Sequence, residues 1–436
     1  MHHSSHFVTM EHMLDIKFIR ENKELIDLAA KKKQIDFDVC ELLALDDTRR
    51  EILQGVEAKR AEQNGYTEKI SLSKNPSERD NMIEQMRGLK EELQRSEGKL
   101  KEIMEKWQRM MLRVPNIPDM SVPEGADDKG NVELRSWGEK PYFDFTTRNH
   151  VELMRAHDMA DFERGAKAAG FRGYFLKNDG ALLSFAIWNF VRDVLVETAH
   201  FTPIIAPSLV RREAFLGTGY LPQGEEDLYK TQDGEYLAGT AEVGTMAYYM
   251  DEVLDYTMLP VKFLGFSPCF RREAGSYGKD TRGLIRVHEF YKLEQVVLCE
   301  ATHEVSVAQH EELTMNSERI MQRLAIPYRV VVNCGGDLGL GQVKKYDIEA
   351  WVPSEKTYRE THSSSYFHDF QSRRLNIRYR DRDGKLRFVH SLNNTAIATP
   401  RILVSIIENN QKKDGTIVVP EALEKYMGKK IIGSPL

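Results

Sequence analysis

The stretch of the sequence with the clearest potential for chemistry runs from Phe270 to Glu294, FRREAGSYGKDTRGLIRVHEFYKLE. Its ends are strand-like, and its glycine-rich, charged centre predicts a long loop between two strands. Several arginines converging on such a loop suit a polyphosphate, because planar guanidinium groups make paired hydrogen bonds to phosphate oxygens. Taken alone, the same charges would also fit an ordinary solvated loop.

The two common glycine-rich nucleotide motifs do not occur in the sequence. There is no GxxxxGK[ST] loop and no GxGxxG fingerprint, since Gly217-Thr218-Gly219 and Gly339-Leu340-Gly341 each lack the third glycine. A nucleotide would therefore have to be held in another way.

Composition predicts a globular chain in a reducing compartment. Of the 436 residues, 41% are hydrophobic and 29% charged, and no apolar run approaches the roughly 18 residues of a membrane span, so no membrane partner is expected. The four cysteines form no CxxC pair, which argues against a zinc site and favours a cytoplasmic location. The net charge of −6 argues against a generally basic nucleic-acid binder but allows a local basic face. Residues 1–12 fit neither a signal nor a transit peptide and are interpreted as an extension.

The elements that position the charged loop are predicted to be strands that follow one another along the chain. Short β-rich runs cover residues 328–333, 346–352, 376–380 and 385–390, and Asp381-Arg382-Asp383-Gly384 predicts a hairpin between the last two. Because few helices intervene, an α+β domain with a largely antiparallel sheet is expected rather than a doubly wound one. The length of the chain favours two domains.

The strongest periodic signal predicts a long helical hairpin in the N-terminal part. Apolar residues recur in steps of four and three from Met82 to Val114, the spacing of a heptad seam. A less apolar seam runs from Leu42 to Ile70, and Pro76 after a polar cap would start the second helix. Helices of about 35 residues would be roughly 50 Å long. Periodicity alone fits a dimerisation coiled coil or an ordinary bundle as well as a protruding RNA-binding arm.

The charged loop and its flanks resemble class II aminoacyl-tRNA synthetases of the seryl type. The segment from Phe270 to Glu294 is similar to motif 2 in its long-loop form, and Pro207 resembles the motif 1 proline of class II dimer interfaces. Further similar stretches, to the serine-binding region, the ATP-binding strand and motif 3, are 217–222, 226–229, 240–243, 357–360, 369–374, 391–393 and 401–409. Together with the arm, the resemblance covers nearly everything from Met13 to the C-terminus.

The resemblance implies an architecture and an activity. It implies an antiparallel helical-hairpin arm that binds tRNA over residues 13–115 and a catalytic domain over 142–436. The proline- and glycine-rich interval 116–141 between them is predicted to be a linker. The implied enzyme is a homodimeric ligase that activates L-serine with ATP and Mg²⁺, forming seryl-adenylate and pyrophosphate. It then transfers serine to tRNA(Ser), with tRNA(Sec) as a further candidate.

The resemblance also implies roles for single residues. Arg271 and Arg401 are the expected catalytic residues, and Glu360 with Ser363 the expected Mg²⁺ ligands. The expected ATP-binding residues are Arg271, Arg272, Glu273, Val287, Phe290, Glu360, Thr361, His362, Ser363 and Arg401. The expected serine-binding residues are Thr240, Ala241, Glu242, Arg271, Glu294, Asn393 and Thr395. Within these sets Phe290 would stack on adenine, and Glu294 with Thr395 would bind the serine hydroxyl.

Some positions depart from the usual family pattern. His362 and Tyr366 are bulkier than the residues expected near the metal, and Pro400 stands where a glycine is usual. Two other functions were weighed. Intact Arg271 and Glu360 count against an inactive paralogue that only binds RNA, and the retained arm counts against a ligase that charges a carrier protein.

Overall fold

The computed structural model describes residues 15–275, 278 and 280–436, and the extension interpreted over residues 1–12 lies outside them. The described chain folds as two compact units. One contains residues 15–31 and 35–115, and the other contains residues 32–34 and 116–436.

The first unit is built from helices. They are α1 (Ile16–Glu21), α2 (Lys23–Lys32), α3 (Val39–Leu72) and α4 (Pro76–Met111). The Asp38 carboxylate caps α3 by accepting from the Cys40 and Glu41 backbone N–H groups, and the Asn75 side chain caps α4. Pro76 occupies the first turn of α4, where a missing N–H is harmless. The prediction of a helix that starts at Pro76 is confirmed.

Polar residues of α3 contact residues of α4 along the seam between the two helices. The Arg49 guanidinium lies 4.8 Å from the centre of the Trp107 ring and donates to buried Asp46 at 2.7 Å. Further along, Lys59 Nζ lies 3.2 Å from Ser96 Oγ. The seam residues of the two helices therefore pack against each other, as expected of an antiparallel helical hairpin.

Each long helix contains glycines that packing does not require. A Cβ added to Gly65 in α3 or Gly88 in α4 would meet no atom within 4 Å. The hydroxyl of Thr67, two residues after Gly65, contacts Met86 Sδ, two residues before Gly88. The two glycines therefore lie at the same level of the hairpin, where both helices are weakened by the high backbone entropy of glycine.

We predict that replacing Gly65 and Gly88 with alanine stabilises the hairpin by about 1 kcal/mol per site. Amide hydrogen exchange in α3 and α4 should slow accordingly. Gly428→Ala is the matched control, because an added Cβ there is also uncrowded but φ is +67°. That change should lower the melting temperature. Unchanged exchange in the Gly65→Ala, Gly88→Ala protein would contradict the prediction.

The second unit combines helices with strands. Its helices are α5 (His150–Ala156), α6 (Phe162–Ala169), α7 (Asn178–Ala199), α8 (Arg212–Thr218), α9 (Ala241–Met246), α10 (His303–Arg323), α11 (Phe370–Leu375), α12 (Arg401–Asn409) and α13 (Glu421–Met427). Its strands are β1 (Val132–Trp137), β2 (Ala160–Asp161), β3 (Phe175–Leu176), β4 (Thr202–Ile205), β5 (Leu209–Val210), β6 (Tyr229–Lys230), β7 (Tyr236–Leu237), β8 (Val253–Asp255), β9 (Val261–Phe270), β10 (Glu289–Cys299), β11 (Tyr328–Val332), β12 (Lys344–Val352), β13 (Thr357–Tyr366), β14 (Arg378–Arg380), β15 (Leu386–Phe388), β16 (His390–Thr399), β17 (Ile417–Val418) and β18 (Ile431–Ile432).

The main sheet has the strand order β1-β11-β12-β13-β16-β10-β9-β4. Its neighbours pair antiparallel except β4 and β9, which are parallel. Helices α7, α10 and α12 pack on it and share its hydrophobic core. The predicted α+β class with a largely antiparallel sheet is confirmed.

Two local features show what the sequence pattern did and did not reveal. The predicted hairpin forms between β14 and β15, with Gly384 at φ +78° in its turn. The interval 116–141, predicted as a linker, contains β1, which pairs with β11 at the edge of the sheet. Most of β1 is exposed, and its brief apolar–polar alternation, Val132-Glu133-Leu134-Arg135, stands within a proline- and glycine-rich interval that favoured the linker interpretation. Within the described residues, no helix has the length and apolarity needed to cross a membrane.

Candidate active site

A cleft opens where the ends of β9 and β10, the middle of β13 and the start of α12 come together. The charged loop joins β9 to β10 and forms one wall, and its positions 276, 277 and 279 lie outside the described residues. The side chains and backbone that line the cleft are those of Arg271, Glu273, Leu284, Ile285, Arg286, Val287, Phe290, Lys292, Glu360, Thr361, Ser363, Thr395, Ala398, Thr399, Pro400 and Arg401.

Two arginines from distant parts of the chain meet in this cleft. Arg271 follows β9, donates from Nε to the Gly239 carbonyl at 3.2 Å, and lies 5.3 Å from the centre of the Phe290 ring. Arg401 opens α12 and donates to the Ile285 and Glu360 carbonyls at 3.0 and 2.8 Å. Both guanidinium groups are held by backbone oxygens, so their positions are fixed before any ligand arrives.

A bulge in β13 decides which of its side chains face the cleft. The pairing with β12 runs Glu349↔Glu360 and then Ile348↔His362, so Thr361 is the extra residue. Glu360 and Ser363 consequently face the same side, although two residues lie between them. His362 turns to the other side, where its ring is buried and Nε2 lies 3.1 Å from the Ala396 carbonyl oxygen.

The Glu360 carboxylate is half exposed to the cleft and ionised. Burial of the carboxyl raises its pKa, but Arg401 and Lys345 outweigh that effect and hold the pKa of Glu360 below its ordinary value. Among the described residues, no group of three or more His, Cys, Asp or Glu side chains forms a ready-made metal site. One ionised carboxylate beside the Ser363 hydroxyl is nevertheless a donor set that fits Mg²⁺, which usually completes its shell with substrate phosphates and water.

A buried charged pair lies next to the cleft on β10. Lys292 Nζ lies 2.5 Å from Glu294 Oε2 and 3.3 Å from Thr240 Oγ1, while Thr395 stands opposite Glu294 on β16. Thr240 caps α9 by accepting from the Glu242 N–H at 3.2 Å. Burial raises the pKa of Glu294 to about 7, against the opposing influence of Lys292.

A second buried carboxylate lies nearby on α9. Glu242 accepts from the Tyr220 hydroxyl at 2.8 Å and from Gln371 Nε2 at 2.7 Å, and it also bonds the Asn393 side chain. Burial raises its pKa, and these neutral donors reduce that shift. This carboxylate is therefore buried among polar side chains that hold it in place.

The structure brings most of the predicted site residues together and leaves some apart. Arg271, Glu273, Val287, Phe290, Glu360, Thr361, Ser363, Thr395 and Arg401 line the cleft. Glu294 belongs to the adjoining charged pair, Thr240 contacts it, Ala241 and Glu242 follow Thr240 at the start of α9, and Asn393 bonds Glu242. His362 faces away because of the bulge, and Arg272 is fixed through its backbone N–H, which donates to the Asp227 carbonyl at 2.9 Å. Neither side chain is brought to the cleft wall.

Lys292 and Arg286 line the cleft but were not predicted. Phe290, Lys292 and Glu294 occupy every second position of β10, so their side chains lie on one face of the strand. Because Phe290 and Glu294 were predicted site residues, this spacing would also have indicated Lys292. Arg286 pairs with Glu273 at 2.5 Å. Its place in the irregular part of the loop offered no comparable signal.

Comparisons with known proteins found matches to sequences of both units. The sequence model of the seryl-tRNA synthetase N-terminal domain matches residues 13–118. The model of the tRNA synthetase class II core domain (G, H, P, S and T) matches residues 229–410. The serine--tRNA ligase of Deinococcus radiodurans is 48% identical over 426 residues, covering 97% of this chain and all of the relative.

Solved structures show the same likeness over almost the whole chain. The seryl-tRNA synthetase of Pyrococcus horikoshii complexed with ATP has a TM-score of 0.86 at 40% identity, covering 97% of this chain and 100% of that one. The cytoplasmic serine-tRNA ligase of Naegleria fowleri in complex with AMP has a TM-score of 0.83 at 30% identity, covering 97% and 99%.

Proposed function

The chain belongs to the seryl-tRNA synthetases, class II ligases that join serine to tRNA, and we propose that the cleft between β10, β13 and α12 is where serine reacts with ATP. The observation that carries this proposal is the position of Lys292. It lines the arginine-rich cleft and also pairs with Glu294 in the adjoining pocket. One buried side chain thus connects a site suited to phosphates with a site suited to a small polar amino acid.

ATP is proposed to occupy the arginine-rich side of the cleft. Phe290 offers a ring face on which adenine can stack, and Glu273 offers an acceptor for the adenine amino group. Val287 offers backbone groups that can contact the nucleotide. Arg271 would contact the α-phosphate and Arg401 the γ-phosphate, since guanidinium groups bind phosphate oxygens in pairs. Glu360 and Ser363 would hold Mg²⁺, which neutralises phosphate charge when bound. The backbone bonds of both arginines support these roles, because they spare the cost of ordering long side chains.

Serine is proposed to occupy the pocket beside Lys292. Thr240 and Glu242 would receive its ammonium group, and Glu294 with Thr395 its hydroxyl. The serine carboxylate would then point toward Arg271 and Lys292, which lie at the junction of the two sites. A pocket that hydrogen-bonds the hydroxyl disfavours alanine, because Glu294 and Thr395 would be buried without that partner.

The proposed reaction needs no protein nucleophile. A serine carboxylate oxygen forms a bond to the α-phosphorus, the bond to the bridging oxygen breaks, and pyrophosphate leaves with its electron pair. Arg271 and Arg401 are cations fixed where negative charge develops on the phosphoryl oxygens, which is the efficient form of electrostatic stabilisation. In the second step a ribose hydroxyl at the tRNA 3′ end attacks the seryl carbonyl, AMP leaves, and positioning dominates.

The wider assignments also belong to this proposal. We assign tRNA binding to the arm, 13–115, catalysis to residues 142–436, and propose a homodimer in the cytoplasm. All four cysteines lie in the described part of the chain as free thiols, which supports a reducing compartment. tRNA(Ser) is the proposed substrate, and tRNA(Sec) the further candidate.

Charging of tRNA by the purified chain tests the proposed function. With labelled serine, ATP and Mg²⁺, label should appear on deacylated tRNA(Ser) and be released by mild base, as expected of an ester. Transfer to tRNA species without a long variable arm should be far weaker. If a folded protein forms seryl-adenylate but never labels tRNA, the transfer half of the proposal is wrong.

The acidity of Glu294 predicts a pH dependence of serine activation. Below its pKa of about 7 the carboxyl carries a proton, and above it the carboxylate can accept the serine hydroxyl hydrogen. At saturating ATP, kcat/KM for serine should therefore rise as pH increases through about 7. Lys292 lowers the pKa of Glu294, so Lys292→Met should move this rise to higher pH. A profile that does not move in the variant would remove Glu294 as its origin.

Removing the Arg401 side chain should weaken ATP use without unfolding the domain. We expect Arg401→Ala to lower kcat/KM for ATP by roughly a hundredfold, since a fixed transition-state donor is commonly worth that much. Arg380→Ala is a matched control, because that arginine lies in β14 and donates to the local Gly384 carbonyl. Circular dichroism should show both variants folded. Normal ATP kinetics in Arg401→Ala would take Arg401 out of the site.

A further inference from the structure

A buried pair, His150 and Glu408, connects the start of α5 with the C-terminal end of α12. Glu408 lies in α12, the helix that begins with Arg401, and its side chain is 0% exposed. Its Oε1 accepts from the His150 backbone N–H at 2.8 Å and lies 3.0 Å from His150 Nδ1. Its Oε2 accepts from the Ser354 N–H at 3.0 Å. The carboxylate therefore fixes the ring of a residue at the start of α5.

The other nitrogen of the same ring contacts the charged loop. The Leu284 N–H donates to His150 Nε2 at 3.2 Å. Because Nε2 accepts this bond, the ring proton lies on Nδ1 and is donated to Glu408, which defines one tautomer of a neutral imidazole. A Cβ at Gly283 would lie 2.2 Å from Nε2, so the loop backbone passes directly over the ring.

The segment held in this way forms part of the nucleotide cleft. Residues 284–287 all line it. The Ile285 carbonyl accepts from Arg401 Nε at 3.0 Å, and Arg286 pairs with Glu273. A shift of this backbone would thus displace both the proposed γ-phosphate arginine and the proposed adenine-binding carboxylate.

We propose that His150 is a positioning residue for ATP: it transmits the position of α12 through Glu408 to the 284–287 segment and so sets the spacing between the two walls of the cleft. The inference rests on the proposed function of the cleft. It does not make His150 a residue that touches substrate.

A separate contact between residues that flank α5 and α12 remains when the imidazole is removed. Gln411 Oε1 accepts from the Arg148 N–H at 2.8 Å, and Gln411 Nε2 donates to the Arg148 carbonyl at 3.0 Å. The bond from the His150 backbone to Glu408 also survives any change of the side chain. Substitutions of His150 should therefore release the loop segment without detaching the helix.

Two amide substitutions of His150 distinguish the role of Nδ1 from the role of Nε2. In His150→Asn the shorter amide can still reach Glu408 in place of Nδ1 but cannot reach Leu284. In His150→Gln the longer amide places an oxygen near the position of Nε2 and restores an acceptor for the Leu284 N–H. We expect His150→Asn to raise KM for ATP about tenfold and to leave KM for serine within about twofold, while His150→Gln stays close to the unmodified protein.

Pyrophosphate exchange kinetics and hydrogen exchange together test the inference. The Leu284 amide should exchange faster in His150→Asn than in His150→Gln, whatever the activity. Equal ATP KM values in the two variants, or a parallel rise for ATP and serine, would overturn the positioning role. If the unmodified protein shows no pyrophosphate exchange, that result would instead count against the proposed function. The comparison of hydrogen exchange at the Leu284 amide between the two variants would still decide the role of His150.

Discussion

A protein in which residues 38–111 are replaced by a short Gly-Ser link should lose tRNA charging and keep serine activation. The residues of the cleft all belong to the second unit. Helices α3 and α4 belong to the first unit and pack against each other along their seam, so the hairpin contributes no residue to the cleft. Exposed basic side chains are available on α4 for phosphates: Arg79, Arg87, Lys90, Arg95, Lys99, Lys101, Lys106 and Arg109. We expect serylation of tRNA(Ser) to fall by roughly a thousandfold at physiological salt.

The same experiment separates two roles of the arm. Serine-dependent pyrophosphate exchange should stay within about twofold of the unmodified protein, because adenylate formation depends on local positioning in the cleft. In the unmodified protein, tRNA affinity should fall with salt as phosphate contacts release counterions. Loss of exchange in a folded variant would show that the arm supports the active site. Retained serylation would show that the arm does not read the tRNA.

Glu294→Ala should nearly abolish serine activation. The substitution removes the carboxylate proposed to accept the serine hydroxyl and leaves Lys292, which it contacts at 2.5 Å, without its buried partner. We expect kcat/KM for serine to fall by roughly 10³-fold or more and the preference over alanine to collapse, because that preference depends on pairing the hydroxyl. Steady-state exchange with each amino acid measures both effects.

Two further variants serve as controls, one for misfolding and one for the general effect of removing a carboxylate. Glu294→Gln keeps the volume of the side chain, and its folding can be compared with that of Glu294→Ala by thermal melting. Glu300→Ala removes a half-buried carboxylate just beyond the same strand and should leave serine kinetics unchanged. If Glu294→Ala retains near-normal discrimination between serine and alanine, the assignment of the hydroxyl pocket is wrong.

The fold was largely predictable because its strongest signals are local. The heptad seam, the helix start at Pro76 after the polar cap Asn75, and the Asp-Gly hairpin each depend on residues close together in the chain, and the structure has all three. Strand β1 escaped prediction because it is an exposed edge strand whose partner, β11, lies almost 200 residues away. The brief apolar–polar alternation from Val132 to Arg135 does not identify so distant a partner.

Which residues belong to the candidate site was easier to predict than the direction in which their side chains point. The loop, β13 and α12 contribute contiguous motif residues, and the sheet order brings their ends together. The bulge at Thr361 has no local sequence signal, yet it turns His362 into the core and Ser363 toward the cleft. The ion pair of Lys292 with Glu294 depends on burial, which only the packed sheet determines.

Serine-dependent exchange of labelled pyrophosphate into ATP by the purified chain tests the central claim most directly, since it reports adenylate formation in the cleft without tRNA. We predict exchange that requires serine and Mg²⁺, is weak with alanine and threonine, and is lost in Arg271→Ala while that variant stays folded. A folded protein that shows no serine-dependent exchange, or one in which Arg271→Ala exchanges normally, would contradict the claim that this cleft activates serine.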